Sequence, residues 1–416
     1  MGISLSCPRC FEGVLGRNSV PAELRDAAIE GFATAFQGVR PTALGVAPGR
    51  AEVLGNHTDY NEGYILSCAI DRYVVVSGRK IDGTVCRLVS SSYPGVTVQF
   101  SMDTLEKQHG KDSSWANYVI GVVSELGKQG SVVGGFEAYV HSNLPHGAGV
   151  SSSAALEMAT AKLLALLFPS SVGRMDDIAL VKVAKAAENN FVGMGCGILD
   201  QFSSGKGRGG QLLYLDCRTL DFGYAPFRGA QFVLANTHAP HQLVDGKYDE
   251  LRRHCFAAAE ALKQATGDAK ITHLRDVDTA TFDRHASSMP EAQRKRAKHI
   301  VFENERVKKG IQALKANDMA TMGALMSGSH SSSRDDFGNS CPQLDVMAEL
   351  AEGIDGFLGA RLMGGGFGGS TINLVKEGTA ESFSAELSRR YQQKTGVTPT
   401  VLVCVPGAGA FGEPVS

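Results

Sequence analysis

Arg50–Gly63 reads R-A-E-V-L-G-N-H-T-D-Y-N-E-G. Before it, Ala43–Leu54 leans apolar and reads as a strand that stops at Gly55. From Asn56 to Gly63 every residue is a polar side chain, a tyrosine or a glycine, and an apolar stretch, Tyr64–Ile70, then resumes. Packing gives no evident reason for Asn56, His57, Thr58, Asp59, Tyr60 and Asn61 to be adjacent. A site for a polyhydroxylated ligand does want such a row, because each hydroxyl needs a fixed donor or acceptor. The plainer alternative is a hydrophilic hairpin loop that turns at Asn61-Glu62-Gly63.

A second segment, Asn143–Ala155, reads N-L-P-H-G-A-G-V-S-S-S-A-A and runs into an apolar helix expected over Ala154–Leu167. Gly147 and Gly149 let backbone N–H groups approach an anion. The unpaired N–H groups and the dipole of the following helix both favour negative charge there. One serine would suffice to cap the helix, and Ser151, Ser152 and Ser153 exceed that need. No G-x-x-x-x-G-K-[ST] occurs, which excludes a Walker loop, and the protein-kinase motifs are absent in the right order.

Two further segments carry chemistry-bearing residues. Ala187–Gln201, A-E-N-N-F-V-G-M-G-C-G-I-L-D-Q, places Glu188 ahead of Asp200, which sits at the expected start of a helix, where an acidic side chain also serves as a cap. Met363–Thr371, M-G-G-G-F-G-G-S-T, lies between two expected strands. Its run of glycines costs conformational entropy unless backbone must come close to something.

The 416-residue chain, with 43% hydrophobic and 20% charged residues, suits two soluble domains. A net charge of −2 with both signs interspersed leaves no footprint for nucleic acid or an anionic membrane. No run reaches the roughly 18 apolar residues of a membrane helix, and no secretory signal is visible, so a cytoplasmic location is expected. Nine scattered cysteines fit free thiols, and Cys7-x-x-Cys10 lacks a partner pair. Expected helices cover Pro21–Phe36, Ser114–Leu126, Ile178–Phe191, Tyr248–Thr266, Leu344–Glu352 and Ala380–Thr395. Expected strands include Val85–Val89, Phe136–Val140, Gln211–Asp216, Phe232–Asn236 and Thr398–Val405, with a frayed tail after Pro406. Hairpins without regular βαβ alternation argue for α+β.

Arg50–Gly63 resembles the galactokinase signature of the GHMP superfamily of small-molecule kinases, G-R-x-N-x-[IL]-G-E-H-T-D-Y-N-x-G, with departures at Glu52 and Asn56. The serine loop, the Glu188–Asp200 segment and the glycine-rich third segment resemble the family's other motifs in the same order. The resemblance implies a two-domain GHMP kinase fold, expected here over 1–222 and 223–416, with the site in the cleft between a mixed-sheet N-terminal domain and a helix-flanked C-terminal sheet. It implies transfer of phosphate from ATP, with Mg²⁺, to the anomeric hydroxyl of a galactose-type sugar. Asp200 would be the base, with Arg50 beside it. Gly147, Gly149, Ser151, Ser152 and Ser153 would wrap the ATP phosphates, and Ser152 and Glu188 would hold Mg²⁺. Arg50, Asn56, His57, Asp59, Gly197, Asp200 and Tyr248 would contact the sugar. A small-molecule sugar is the only partner implied, and oligomeric state is left open, with a monomer sufficient.

The family places a Glu at the Asn56 position, where it accepts from the sugar's C6 hydroxyl, and an Asn at the Glu52 position. Exchange of the two residue types leaves open a C6-variant sugar such as galacturonate, since an amide at 56 would relieve charge repulsion. Glu52, on the same face of the strand as Arg50, would pair with Arg50 or face the sugar. A non-catalytic sugar and nucleotide sensor is the remaining alternative, disfavoured because the catalytic set is complete.

Overall fold

The computed structural model describes residues 20–145, 147–239 and 244–415; Cys7 and Cys10 lie outside them. In chain order, α1 (Ala22–Ala35) precedes β1 (Ala43–Leu54), β2 (Tyr64–Lys80), β3 (Val85–Ser90) and β4 (Thr97–Ser101). Then come α2 (Ala116–Lys128), β5 (Phe136–Ser142), α3 (Ser152–Leu167), α4 (Asp177–Ala186), α5 (Leu199–Lys206), β6 (Gln211–Asp216), β7 (Phe222–Pro226) and β8 (Ala230–Asn236). The second half holds α6 (Val244–Thr266), α7 (Thr279–His285), α8 (Glu291–Lys315), α9 (Met319–Ser332) and α10 (Pro342–Ala351). It closes with β9 (Phe357–Leu362), β10 (Ser370–Lys376), α11 (Ala380–Thr395), β11 (Thr400–Cys404) and β12 (Phe411–Pro414).

The first sheet runs β12-β1-β2-β5-β3-β4, with β6 on the first half of β2 and β7 on β6. Only β3 and β5 pair in parallel, so the sheet is mixed as expected. Every residue of β1 is buried: α3 covers one face, and Leu44 and Val46 on the other pack with Leu24, Ala28 and Ile29 of α1. Gly45 makes that approach possible: a Cβ there would collide with the backbone of Ala159 and Leu163. The apolar α3 is buried over most of its length, as its sequence requires.

The second sheet, β11-β8-β10-β9, is antiparallel throughout. Its strands show the two-residue period directly: Phe232 and Leu234 of β8 face the main core, whereas Val233 and Ala235 join a separate cluster under α10 and α11. Helices α6, α7 and α8 build a third, smaller core around Cys255, Phe282 and Ile300. The α+β, two-sheet architecture matches the expectation.

Three sequence expectations change. The tail after Pro406 is not frayed: β12 pairs with β1, and Ala410 and Phe411 are buried. Small residues allow this. Gly409 crosses against the backbone of Gly205 and Gly207, where a Cβ on residue 409 would collide, and its N–H donates to the Gly207 carbonyl. The strand β7, missed between two expected strands, pairs with β6 in the first sheet. The helix expected over Ile178–Phe191 stops at Ala186 and widens into a π-turn, Ala187–Val192, closed by Gly193 at φ 94°. Widened turns of this kind re-aim side chains, and this one carries Glu188.

Candidate active site

Arg50 leaves β1 beside a register shift between Pro48 and Arg50, and its side chain is almost wholly buried. Its Nε and Nη2 donate to the two carboxylate oxygens of Asp200 at 2.7 and 3.1 Å, a bidentate pair. Its Nη1 donates to the Gly149 carbonyl at 2.6 Å, and its backbone N–H to the Val150 carbonyl at 3.0 Å. Burial would lower the guanidinium's pKa, but the Asp200 charge more than offsets it and holds Arg50 above the usual arginine range. One arginine therefore ties the expected base, at the start of α5, to the expected phosphate loop.

In that loop Gly147 and Gly149 take φ values of 67° and 69°, and Ser151 takes 55°. A Cβ at 147 or 149 would meet nothing, so the glycines serve the left-handed backbone and expose it to open space. The loop is pinned from the second sheet by Asn236 Nδ2 on the Gly147 carbonyl and Ser370 Oγ on the Ala148 carbonyl. Ser151 occupies the N-cap position of α3 without capping it; its hydroxyl donates instead to Asp200 Oδ2 at 2.5 Å.

Glu188 is buried, and its Oε2 accepts from Gln201 Nε2 at 2.5 Å and from Cys196 Sγ at 3.4 Å. Burial, followed by the Asp200 charge, raises its pKa, and the Ser153 hydroxyl counters by bonding to the carboxylate. Of the two serines that open α3, Ser152 is exposed and Ser153 half-buried. Among the described residues no cluster of three or more His, Cys, Asp and Glu could hold a metal by itself. A Mg²⁺ site built from one or two carboxylates, a hydroxyl and substrate phosphates needs no such cluster, and a loop serine with Glu188 and Asp200 fits it.

The polar row Asn56–Asn61 proves to be partly architectural. Thr58 Oγ1 bonds the carbonyls of Gly55 and Tyr64 at 2.8 and 2.7 Å, and Asn61 Nδ2 donates to the His57 carbonyl at 2.9 Å. Both side chains are fully buried, so packing does require some of this row. Asn56, His57 and Asp59 are the members that reach the cavity. His57 donates from Nε2 to the Gly365 carbonyl (3.1 Å), so its Nδ1 is free to accept from the Tyr60 hydroxyl (3.0 Å). Burial lowers its pKa to about 4, which keeps the ring neutral. Asp59 accepts from the Tyr60 N–H at 2.9 Å, and burial raises its pKa to about 6.

These groups line a cavity of about 360 Å³ with Arg50, Glu52, Asn56, Glu188, Gly197, Asp200, Tyr248 and Gly364, among others. That is enough for a monosaccharide. Gly197 is obligatory: a Cβ there would overlap the Asp59 carboxylate. Tyr248 packs its ring 5.2 Å from His57 and 5.7 Å from Tyr60. Glu52 does not hydrogen-bond Arg50. Its carboxylate accepts from Asn56 Nδ2 at 3.1 and 3.3 Å and from the Gly364 N–H at 3.0 Å, with Arg361 Nη1 3.6 Å away. The glycine-rich segment lies across this end of the cavity: Gly364 accepts from Asn56 Nδ2 at 2.7 Å, and a Cβ on Gly366 would strike the Asn339 backbone.

Helix α8 supplies residues that sequence reading missed. Glu303 accepts from the N–H groups of Gly55 (2.9 Å) and Asn56 (3.4 Å), His299 Nε2 donates to the Asn56 carbonyl (3.1 Å), and Asn304 Oδ1 accepts from the Tyr64 N–H (2.9 Å). A clamp thus holds both ends of the polar loop. Its signal was present: His299 and Glu303, four residues apart, lie on the same buried stripe as Ile300 and Val307. A buried polar pair on an apolar stripe needs partners, but the helix alone does not say which.

The chain matches three family models: the galactokinase galactose-binding signature over residues 30–80, the GHMP kinases N terminal domain over 117–208 and the GHMP kinases C terminal over 311–393. It is 38% identical over 368 residues to a galactokinase of Roseiflexus sp. (strain RS-1), covering 88% of this chain and 92% of that one. It is 38% identical over 386 residues to a galactokinase of Bacillus subtilis (strain 168), covering 91% and 96%. Lactococcus lactis galactokinase complexed with galactose superposes with a TM-score of 0.85 at 32% identity, over 92% of this chain and 98% of that one. Methanococcus jannaschii mevalonate kinase, at 16% identity and a TM-score of 0.60, shares the fold alone. With its buried arginine–aspartate pair, its serine loop and its polar loop around one cavity, the chain belongs to the galactokinase family of GHMP kinases.

Proposed function

We propose that the protein phosphorylates galactose at the anomeric C1 hydroxyl, consuming ATP and releasing galactose 1-phosphate and ADP. The observation that carries this reading is the junction at Arg50, which bonds both Asp200 and the Gly149 carbonyl and so joins the sugar cavity to the phosphate loop. Asp200 takes the C1 hydroxyl proton as that oxygen attacks the terminal phosphorus of ATP, and the bond to the ADP oxygen breaks. Arg50 and the backbone N–H groups of Gly147–Ser153 stabilise charge on the transferring group, which is where a loose transition state needs help. Ser151, bonded to Asp200, orients the carboxylate. His57, Asp59 and Tyr248 position the sugar. Mg²⁺, held by Glu188 and the loop serine Ser152 with Asp200 alongside, would neutralise phosphate charge.

Glu52 argues against a uronic acid. The carboxylate that an amide at position 56 would have removed is present anyway, hydrogen-bonded to Asn56. The sensor reading is disfavoured by the presence of Arg50, Glu188 and Asp200 around one cavity and by the relatives, which carry the name galactokinase. The described cysteines are all free thiols, and no described helix is long and apolar enough to cross a membrane. Both observations support a cytoplasmic enzyme. The test is ADP release by the purified protein across hexoses, deoxyhexoses, uronic acids and pentoses, with and without Mg²⁺. Absence of galactose-dependent release would overturn the proposal.

A further inference from the structure

Asn56 and Glu52 both border the sugar cavity, and a count of their hydrogen-bonding capacity separates them. Asn56 has two amide protons and one carbonyl oxygen. Its protons go to the Glu52 carboxylate (3.1 Å) and the Gly364 carbonyl (2.7 Å). Its oxygen accepts from Asn339 Nδ2 (2.9 Å) and Ser333 Oγ (3.4 Å). Protein groups use all of that capacity. A carboxylate offers about four acceptor sites. Glu52 uses them for one shared Asn56 amide and the Gly364 N–H, with Arg361 at 3.6 Å. It keeps capacity for a further donor.

Strand geometry says where that donor lies. β1 and β2 pair regularly from Arg50 to Glu52, so the two side chains share a face, about 7 Å apart along the strand. Arg50 points to Asp200 at the reacting end. Glu52 stands one residue pair away, at the end closed by Gly364. That separation is comparable to the span of a hexopyranose between a reacting hydroxyl and one across the ring.

We propose that Glu52 is a sugar-recognition residue of this chain: its β1-borne carboxylate accepts from one hydroxyl remote from the phosphorylated one, while Asn56 is a clamp that orients Glu52 and touches no sugar. The inference rests on the sugar-kinase reading and deepens it. The substrate end is read by an acid, so the ligand there is a neutral hydroxyl donor.

The test measures galactose and its monodeoxy derivatives in wild type, Glu52→Gln, Asn56→Ala and the exchanged double variant Glu52→Asn/Asn56→Glu. Calorimetric binding and ADP release are both recorded, with thermal melts to verify folding. Glu52→Gln should weaken galactose binding about 10–100-fold, the size of one lost charged hydrogen bond. The loss should fall on KM, leave kcat within about threefold, and vanish for the single deoxy sugar that lacks the contacted hydroxyl. Asn56→Ala, which removes only the clamp on Glu52, should weaken galactose less than Glu52→Gln does and should change nothing for that same deoxy sugar. The double variant, which keeps one acid and one amide, should recover binding relative to Glu52→Gln. Equal weakening of all sugars by Glu52→Gln would make Glu52 merely structural and overturn the proposal. A loss in Asn56→Ala that falls on a different hydroxyl from the one Glu52 reads would do the same. Binding decides Glu52 on its own, so failure of the kinase reading would appear separately, as absent ADP release by wild type.

Discussion

Replacing Glu303 by Gln should loosen the sugar loop from behind. Glu303 lies fully buried on α8, and its carboxylate accepts from the Gly55 and Asn56 N–H groups, from Ser329 Oγ at 2.8 Å and from Arg306 Nε at 2.5 Å. Burial alone would raise its pKa; Arg306, then His299 and Arg361, more than offset this and hold it well below the ordinary carboxylate range. Gln keeps the shape but removes the charge and leaves Arg306 unpaired. Breaking a buried pair costs about 3–5 kcal/mol, and the lower figure applies because Arg306 keeps some contact with solvent. With an unfolding entropy of about 2.1 cal/mol/K per residue, 3 kcal/mol over this chain corresponds to a fall in Tm of about 3–4 °C. A group with a depressed folded pKa contributes stability above its unfolded pKa, and that contribution fades as pH falls toward the folded value. The Tm gap between wild type and variant should therefore be full at pH 7 and shrink below about pH 4. Because the same carboxylate anchors the loop backbone, KM for galactose should rise several-fold with kcat less affected. Melts from pH 3.5 to 8 and steady-state kinetics check this. A variant within 1 °C of wild type at pH 7 with unchanged KM would refute the clamp.

Asp200→Asn should lower turnover by roughly 10²–10⁴-fold while equilibrium binding of galactose stays near the wild-type value; a variant retaining more than about a tenth of the rate would remove Asp200 as the base. Asp59, whose pKa burial raises to about 6, contributes stability that is fully present below its unfolded pKa and lost as pH rises through 6. Asp59→Asn should therefore raise Tm at pH 8 by up to about 3 °C, show no gain near pH 4 and weaken sugar binding, which melts and calorimetry measure together. Phe411→Ala should cost about 3 kcal/mol and lower Tm by a few degrees, because β12 closes the edge of the first sheet; a melt identical to wild type would return the tail to a frayed state.

Much of this molecule was legible residue by residue. Ala43–Leu54 and Ala380–Thr395 were expected at the boundaries observed, because each is set by adjacent residues: an apolar run ending at Gly55, and an amphipathic helix stopped at Gly396 with φ 76°. The ordered motifs likewise named Arg50, Asp200, Glu188 and the serine loop, since close backbone approach and charge demand particular residue types at fixed spacing. What the chain order could not state was which distant groups meet. Glu188 leaves a π-turn where its sequence reads as plain helix. Asn56 is saturated by Asn339 and Gly364, which lie nearly three hundred residues or more along the chain, so a side chain that reads as a sugar ligand becomes a clamp. The frayed tail became a sheet edge because Gly409 can cross the backbone at Gly205 and Gly207. Local physics dictates elements and chemical capacity, but whether a polar group spends that capacity on a ligand or on the protein depends on partners that only the folded chain brings within 3 Å.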